Sequence, residues 1–190
     1  TNHLGHFALS GRLLPLLLAT PGARLVVVSS GVHHAGRIDF DDLNWETRRY
    51  SDWTAYSQSK LANLLFALEL ERRLPSGSGV RVTAAHPGWT ATDLQRTAGM
   101  ARFFNPFLAM TPERGALPTL RAATDPDAAS GTYWGPQGLT GMNGPPGPAR
   151  INAKAKDPAV AARLWDVSEK LTGVTYSFAK PSPVVASAVS

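Results

Sequence analysis

Tyr56 and Lys60 stand one helical turn apart in the segment Tyr56-Ser57-Gln58-Ser59-Lys60, downstream of a Val-rich run that ends in Ser29-Ser30. Residues i and i+4 of a helix are neighbours on one face. A lysine cation beside a phenol favours the phenolate and is expected to bring the tyrosine below its ordinary pKa of about 10. A phenol tuned in that way can serve as a general acid–base near neutral pH. Ser30 supplies a hydroxyl at a strand end, where a prepositioned donor can stabilise charge developing on a substrate oxygen. Taken alone, Y-x-x-x-K is common, and a tyrosine packed on a lysine stem explains it equally well. The strand–loop–helix order that adds Ser30 makes the catalytic reading more specific. Ser57-Gln58-Ser59-Lys60 also fits the S-x-x-K nucleophile motif, but no K-T-G or S-D-N partner accompanies it.

Those residues need elements to hold them. Residues 1–20 predict a helix with Leu4, Phe7, Ala8, Leu14 and Leu18 on one apolar face, kinked or shortened by Pro15. Arg24 to Ser30 reads as a buried strand. Residues 31–53 read as a long polar loop, and Thr54 to Leu74 as the helix carrying Tyr56 and Lys60. Val80 to Ala85 is a second strand, closed by His86-Pro87-Gly88. The stretch 93–110 is apolar and irregular, and its aromatic part, Met100 to Met110, reads as a substrate lid or as packed core. Thr111-Pro112-Glu113 opens a helix, with Thr as N-cap and Pro at the first position. Gly131 to Gly135 is a third strand, residues 136–149 a Gly/Pro-rich loop, and Asp157-Pro158 starts a last helix that ends at Gly173. Alternating helices and strands imply a parallel sheet with right-handed crossovers. Ligands in such sheets sit beyond the carboxyl ends of the strands, where Ser30, the Tyr56 helix start and His86-Pro87-Gly88 converge.

The chain's 190 residues, 43% hydrophobic and 17% charged, suit one globular domain. The absence of cysteine excludes disulfides, thiolate metal sites and cysteine nucleophiles. The net charge of +5 is scattered without a basic stripe, so no nucleic-acid partner is expected. No apolar run is long enough for a membrane span. No secretory leader is read ahead of the first motif, and a cytoplasmic location is expected. Thr1 falls inside the first helix, which suggests a piece of something longer. The adjacent pair His33-His34 reads as surface loop rather than metal site, and His86 as structural; no metal is expected.

The chain resembles the short-chain dehydrogenase/reductase family over nearly its whole length. The likeness rests on Thr1-Asn2-His3-Leu4-Gly5-His6-Phe7, VVVSSGVHHAGRIDFDDLN, Tyr56-Ser57-Gln58-Ser59-Lys60-Leu61-Ala62-Asn63, His86-Pro87-Gly88-Trp89-Thr90-Ala91-Thr92 and LWDVSEKLTG, in that order. The branch it is most similar to is the retinol-dehydrogenase-like group. The resemblance implies an α/β fold: a partial Rossmann domain, a doubly wound parallel sheet lacking the N-terminal βαβ cofactor half. Residues 1–176 would form the C-terminal half of that domain, and 177–190 a flexible tail. It implies a catalytic set in which Tyr56 exchanges a proton with the substrate oxygen and Lys60 lowers the phenol and bonds the nicotinamide ribose. Ser30, rather than Ser29, would hold the oxygen. Asn2 would place a water leading from Lys60 to solvent, although an N-cap role also suits it. Pro87, Gly88, Thr90 and Thr92 would cradle the nicotinamide end of NADP or NAD, with NADP the favoured form. The substrate would be a small apolar alcohol, aldehyde or ketone, and a homodimer is allowed.

The chain departs from the family where the cofactor's other end should sit. It has no G-x-x-x-G-x-G turn to hold a pyrophosphate at a helix N-terminus. Two other readings therefore stand beside the oxidoreductase: a truncated non-catalytic fragment or pairing module, and a sugar epimerase or dehydratase, for which residues 93–190 are too short a substrate domain. The strand RLVVVSS would also lack a neighbour, an edge prone to self-association. Expressed alone, the chain is expected to bind nicotinamide cofactor weakly and to self-associate. Tight, specific NADPH binding by a monodisperse sample in calorimetry would refute this.

Overall fold

In the computed structural model the described residues are 1–89, 110–138 and 140–179. The chain runs α1 (Leu4–Ala19), β1 (Arg24–Val28), α2 (Asp52–Arg73), β2 (Arg81–Ala85), α3 (Pro112–Thr124), β3 (Tyr133–Pro136), β4 (Pro146–Pro148) and α4 (Pro158–Thr172). The strands lie side by side in sequence order, β1-β2-β3-β4. β1 and β3 both pair parallel to β2, with Val26 opposite Thr83 and Ala84 opposite Tyr133.

Both faces of the sheet are covered, so its central strands are apolar on both sides. Val27, Val82 and Ala84 face the main core with α2. Val26 and Ala85 turn the other way, onto Ala122, Ala128 and Trp134 under α3. The ends of the helices follow capping chemistry. Ser51 Oγ accepts from Thr54 N at 3.4 Å, and Thr111 Oγ1 from Arg114 N at 3.5 Å. Asp157 Oδ1 accepts from Ala159 N and Val160 N at 2.9 and 3.1 Å.

α4 lies across α1 and α2 and closes an aromatic knot. The Phe7 ring stands 5.5 Å from Phe66, 5.1 Å from Trp165 and 4.8 Å from Tyr176. Tilted and edge-on pairs like these add about 0.5–1.5 kcal/mol each beyond their area burial. Tyr176 Oη donates to the Phe7 carbonyl at 2.6 Å. Phe178 stacks on Trp165 at 6.2 Å. The remainder of the expected tail, 180–190, lies outside the described residues, as do residues 100–109 of the candidate lid.

Several expectations are corrected. The sheet is mixed rather than all-parallel, because the expected loop 136–149 contains β4, which pairs antiparallel to β3 through Trp134–Pro148, Gly135–Gly147 and Pro136–Pro146. β4 is an edge strand, where prolines that cannot donate are tolerated. The third strand starts at Tyr133 rather than Gly131. α1 starts at Leu4 and continues past Pro15 to Ala19, so Pro15 does not shorten it. The loop after β1 opens with a 3₁₀ turn, Gly31–Ala35, and Ser30 Oγ caps it by accepting from Val32 N at 3.4 Å.

His33 is not a surface residue: only 1% of it is exposed. Its Nδ1 donates to the Ser30 carbonyl at 2.7 Å, and its Nε2 accepts from Asn152 N at 3.4 Å. His86 is equally structural, its Nδ1 accepting from Gly88 N at 3.2 Å. A side chain on Gly135 would run into the His86 ring, so the bare backbone there makes room for it. Burial lowers both imidazoles from about 6.5 to about 4, with neighbouring histidines adding to the effect. A depressed histidine is neutral in the fold, so its stabilisation is complete above about pH 6.5 and is lost as pH falls towards about 4. Urea unfolding midpoints should therefore drop between pH 7 and pH 4.5; a flat profile would contradict the buried, neutral pair.

Candidate active site

The end of β1 is stitched to the third and fourth turns of α2. Ser29, fully buried, donates its hydroxyl to the Lys60 carbonyl at 2.8 Å. In return Lys60 Nζ donates to the Val28 carbonyl at 3.4 Å, and Asn63 Nδ2 donates to the same oxygen at 3.1 Å. Odd-numbered β1 residues bond towards β2, as Ser29 N to the Ala85 carbonyl at 2.8 Å shows. The Val28 carbonyl consequently points out of the sheet's free edge, and α2 side chains satisfy it. Ser29 is thus the structural serine of the pair, which frees Ser30 for the cavity.

Ser30, Tyr56, Pro87 and Gly88 line one cavity of about 980 Å³, together with Asn2. Apolar side chains, among them Ile38, Leu43, Trp45, Tyr50 and Trp53, form much of its wall. Gly88 has φ 70° in this wall, and a Cβ there would collide with the Met142 carbonyl. The turn is pinned by Trp89 N to the Met142 carbonyl and Met110 N to the Trp89 carbonyl, each 2.8 Å. Thr90 and Thr92 lie outside the described residues.

Lys60 and Tyr56 share one helix face, with the ammonium 5.3 Å from the ring centroid. The expected lowering of the phenol is not what the structure gives. Burial raises Tyr56 above its usual value, and a hydrogen bond with the Ser30 hydroxyl opposes the rise. Burial also lowers the Lys60 ammonium, which spends one donor on Val28. Desolvation disfavours each charged form separately, and among the described residues no negative group reverses it for the lysine.

Asn2 reaches the cavity, but no hydrogen bond joins it to Lys60. The neighbour of the lysine on α1 is His6. Burial, then the Lys60 charge and the terminal amine, lower its imidazole, and its Nδ1 lies 3.2 Å from Asn63 Nδ2. Tyr133 was missed as well. Its buried hydroxyl lies near Ser29, whose proton already goes to Lys60, and it completes no hydrogen bond of its own. The i+3 spacing of Lys60 and Asn63 was the legible signal for Asn63; nothing in the sequence pointed to His6 or Tyr133. Among the described residues no cluster of three or more His, Cys, Asp or Glu could hold a metal ion. No helix there is long and apolar enough to cross a membrane.

A parallel βαβ core with this serine, tyrosine and lysine at its strand ends is the back half of a short-chain dehydrogenase/reductase fold. The chain is homologous to the retinol dehydrogenases of that family. It is 42% identical to retinol dehydrogenase 13 of Homo sapiens over 96% of its own length and 56% of that protein's. It is 39% identical to retinol dehydrogenase 14 of Mus musculus, over 91% of the chain and 51% of the relative. A solved structure of an uncharacterised protein from Mycobacterium paratuberculosis superposes with a TM-score of 0.74 at 46% identity, covering 93% of this chain and 59% of that one. The chain thus spans about half the length of the curated relatives it matches, in accord with the reading of a C-terminal portion. No protein-family model matches it.

The difference in tyrosinate absorption between the wild type and Tyr56→Phe isolates this phenol. Its titration midpoint should lie above 10, and Ser30→Ala should move it higher still. A midpoint below 10 would show that the ammonium, not burial, dominates.

Proposed function

We propose that the chain carries the catalytic residues of an NAD(P)-dependent oxidoreductase that interconverts a carbonyl and an alcohol on an apolar substrate. The observation that carries this reading is the single cavity shared by Ser30, Tyr56 and the Pro87-Gly88 turn, with aromatic and aliphatic side chains for the rest of its wall.

In the reducing direction, negative charge builds on the carbonyl oxygen. The Ser30 hydroxyl would donate to that oxygen, and Tyr56 would transfer its proton to it. A phenol kept protonated by burial suits the role of acid. Lys60 would stay beside the phenol and help offset charge on it once the proton has left. The apolar wall would hold the substrate body and exclude water.

The donor set fits the nicotinamide end of the cofactor. The Ser30 hydroxyl and the Gly88 backbone turn line the cavity, and the Lys60 ammonium, which is not part of its lining, lies one helical turn from Tyr56. The cofactor would supply the hydride. Among the described residues no glycine turn opens a helix to take the pyrophosphate. NADP is the favoured form, and a cytoplasmic location accompanies the proposal. Because the matched relatives are named for retinol, retinaldehyde is the first substrate to try.

A second reading is that the chain by itself is a non-catalytic module that pairs with another chain. It is favoured by the position of β1 at the sheet edge and by α1, which packs on β1 and exposes Leu9, Leu13 and Leu16. NADPH oxidation with retinaldehyde, followed at the cofactor's absorbance, separates the two. Turnover that falls by about a hundredfold or more in Tyr56→Phe supports the enzyme. No turnover above blank by folded protein supports the module.

A further inference from the structure

The loop between β1 and α2 carries a polar network that the chemistry above does not use. Gln58 follows Tyr56 by two residues on α2 and is only 7% exposed, unusual for a glutamine. Its Nε2 donates to the Leu43 carbonyl at 3.1 Å, and its Oε1 accepts from Arg48 Nη2 at 3.1 Å. Arg48 Nη1 pairs with Asp39 at 2.7 Å, and Nη2 also donates to the Asp42 carbonyl at 3.0 Å. The guanidinium lies 3.6 Å from the centre of the Trp45 ring.

Asp42 ties the same loop from within. Its carboxylate accepts from the backbone of Glu46, Thr47 and Arg48 at 2.7, 3.2 and 3.0 Å, and from Thr47 Oγ1 at 2.9 Å. Desolvation acts to raise this carboxyl, but those bonds win and hold it at about 2. Trp45 sits at φ 62°, a left-handed backbone that a bulky side chain keeps only when its surroundings hold it. Its ring meets Tyr50 edge-on at 5.7 Å. Leu43, Trp45, Tyr50 and Gln58 line the cavity, whereas Arg48 does not.

Arg48 therefore acts on the cavity only through the residues it holds. An exposed ion pair alone would contribute little. Here the arginine ties the loop to a buried glutamine on the helix that bears the catalytic phenol. We propose that Arg48 is a positioning residue that, anchored on Gln58, fixes the Leu43–Trp45 wall in register with Tyr56, and so selects substrates with a long apolar body over short ones. This rests on the oxidoreductase reading. A short carbonyl compound bound at Ser30 and Tyr56 leaves that wall largely untouched; a long one lies along it.

The test compares binding of retinaldehyde, by quenching of tryptophan fluorescence, with binding of benzaldehyde, by ligand-observed NMR. Arg48→Ala should weaken retinaldehyde by about tenfold or more and leave benzaldehyde within about twofold. Arg48→Lys keeps the Asp39 pair without the fork and should fall between; it carries the test if Arg48→Ala does not fold. Equal losses for both aldehydes would mark a merely structural network and overturn the inference, as would no change. Failure of the wild type to bind retinaldehyde would instead overturn the substrate reading, and this inference with it.

Discussion

The site depends on one backbone oxygen. The Val28 carbonyl leaves the sheet on the side where no strand meets it, and a buried polar group in that position must find a partner. Lys60 and Asn63 supply it, and Ser29 answers by binding the Lys60 carbonyl. These bonds fix both the height and the rotation of α2 against β1. The rotation sets where Tyr56 points, one turn before Lys60. The height sets its distance to Ser30, one residue after Ser29. The placement of Tyr56 beside Ser30 is a by-product of satisfying main-chain polarity at Val28 and Lys60.

The same economy shows in the histidines. His33 accepts a bond from the Asn152 backbone, and Asn152 Nδ2 donates to the His34 carbonyl at 3.3 Å, which ties the segment before α4 to the 3₁₀ turn after Ser30. His86 braces the Pro87-Gly88 turn from below. Both imidazoles are kept neutral by the apolar surroundings that also raise the Tyr56 phenol. One low-dielectric environment thus governs the walls and the reacting group together.

The sequence made the elements legible where periodicity and caps agreed. α2, α3 and α4 begin within two residues of their expected starts because Ser51, Thr111 and Asp157 are ordinary caps. Ser30, Tyr56, Pro87 and Gly88 were assigned from motif order, and they do share a cavity. The misses have physical causes. β4 is a three-residue strand made of Pro-Gly-Pro, and its composition reads as loop. Pro15 lies inside a helix that continues to Ala19, with Leu14 and Leu18 on either side of it buried in the core. His33 looked like surface because a pair of adjacent histidines gives no hint of the Asn152 backbone that receives one of them. The direction of the tyrosine's shift was misjudged because spacing reports proximity to a cation and says nothing of dehydration. Arg48, placed in a polar loop, could not be matched to Gln58 without coordinates.

Tyr176 reaches back across the chain to the carbonyl of Phe7, and Trp165 fills the space between them. A contact between residues so far apart in sequence is closed only after the whole stretch between them exists, since loop closure over that span must come first. During synthesis α1 precedes Trp165 and Tyr176, so its aromatic seat stays empty until that later segment leaves the ribosome. The nascent chain therefore carries an exposed Phe7 until those two rings are made, the interval in which a chaperone has most to bind.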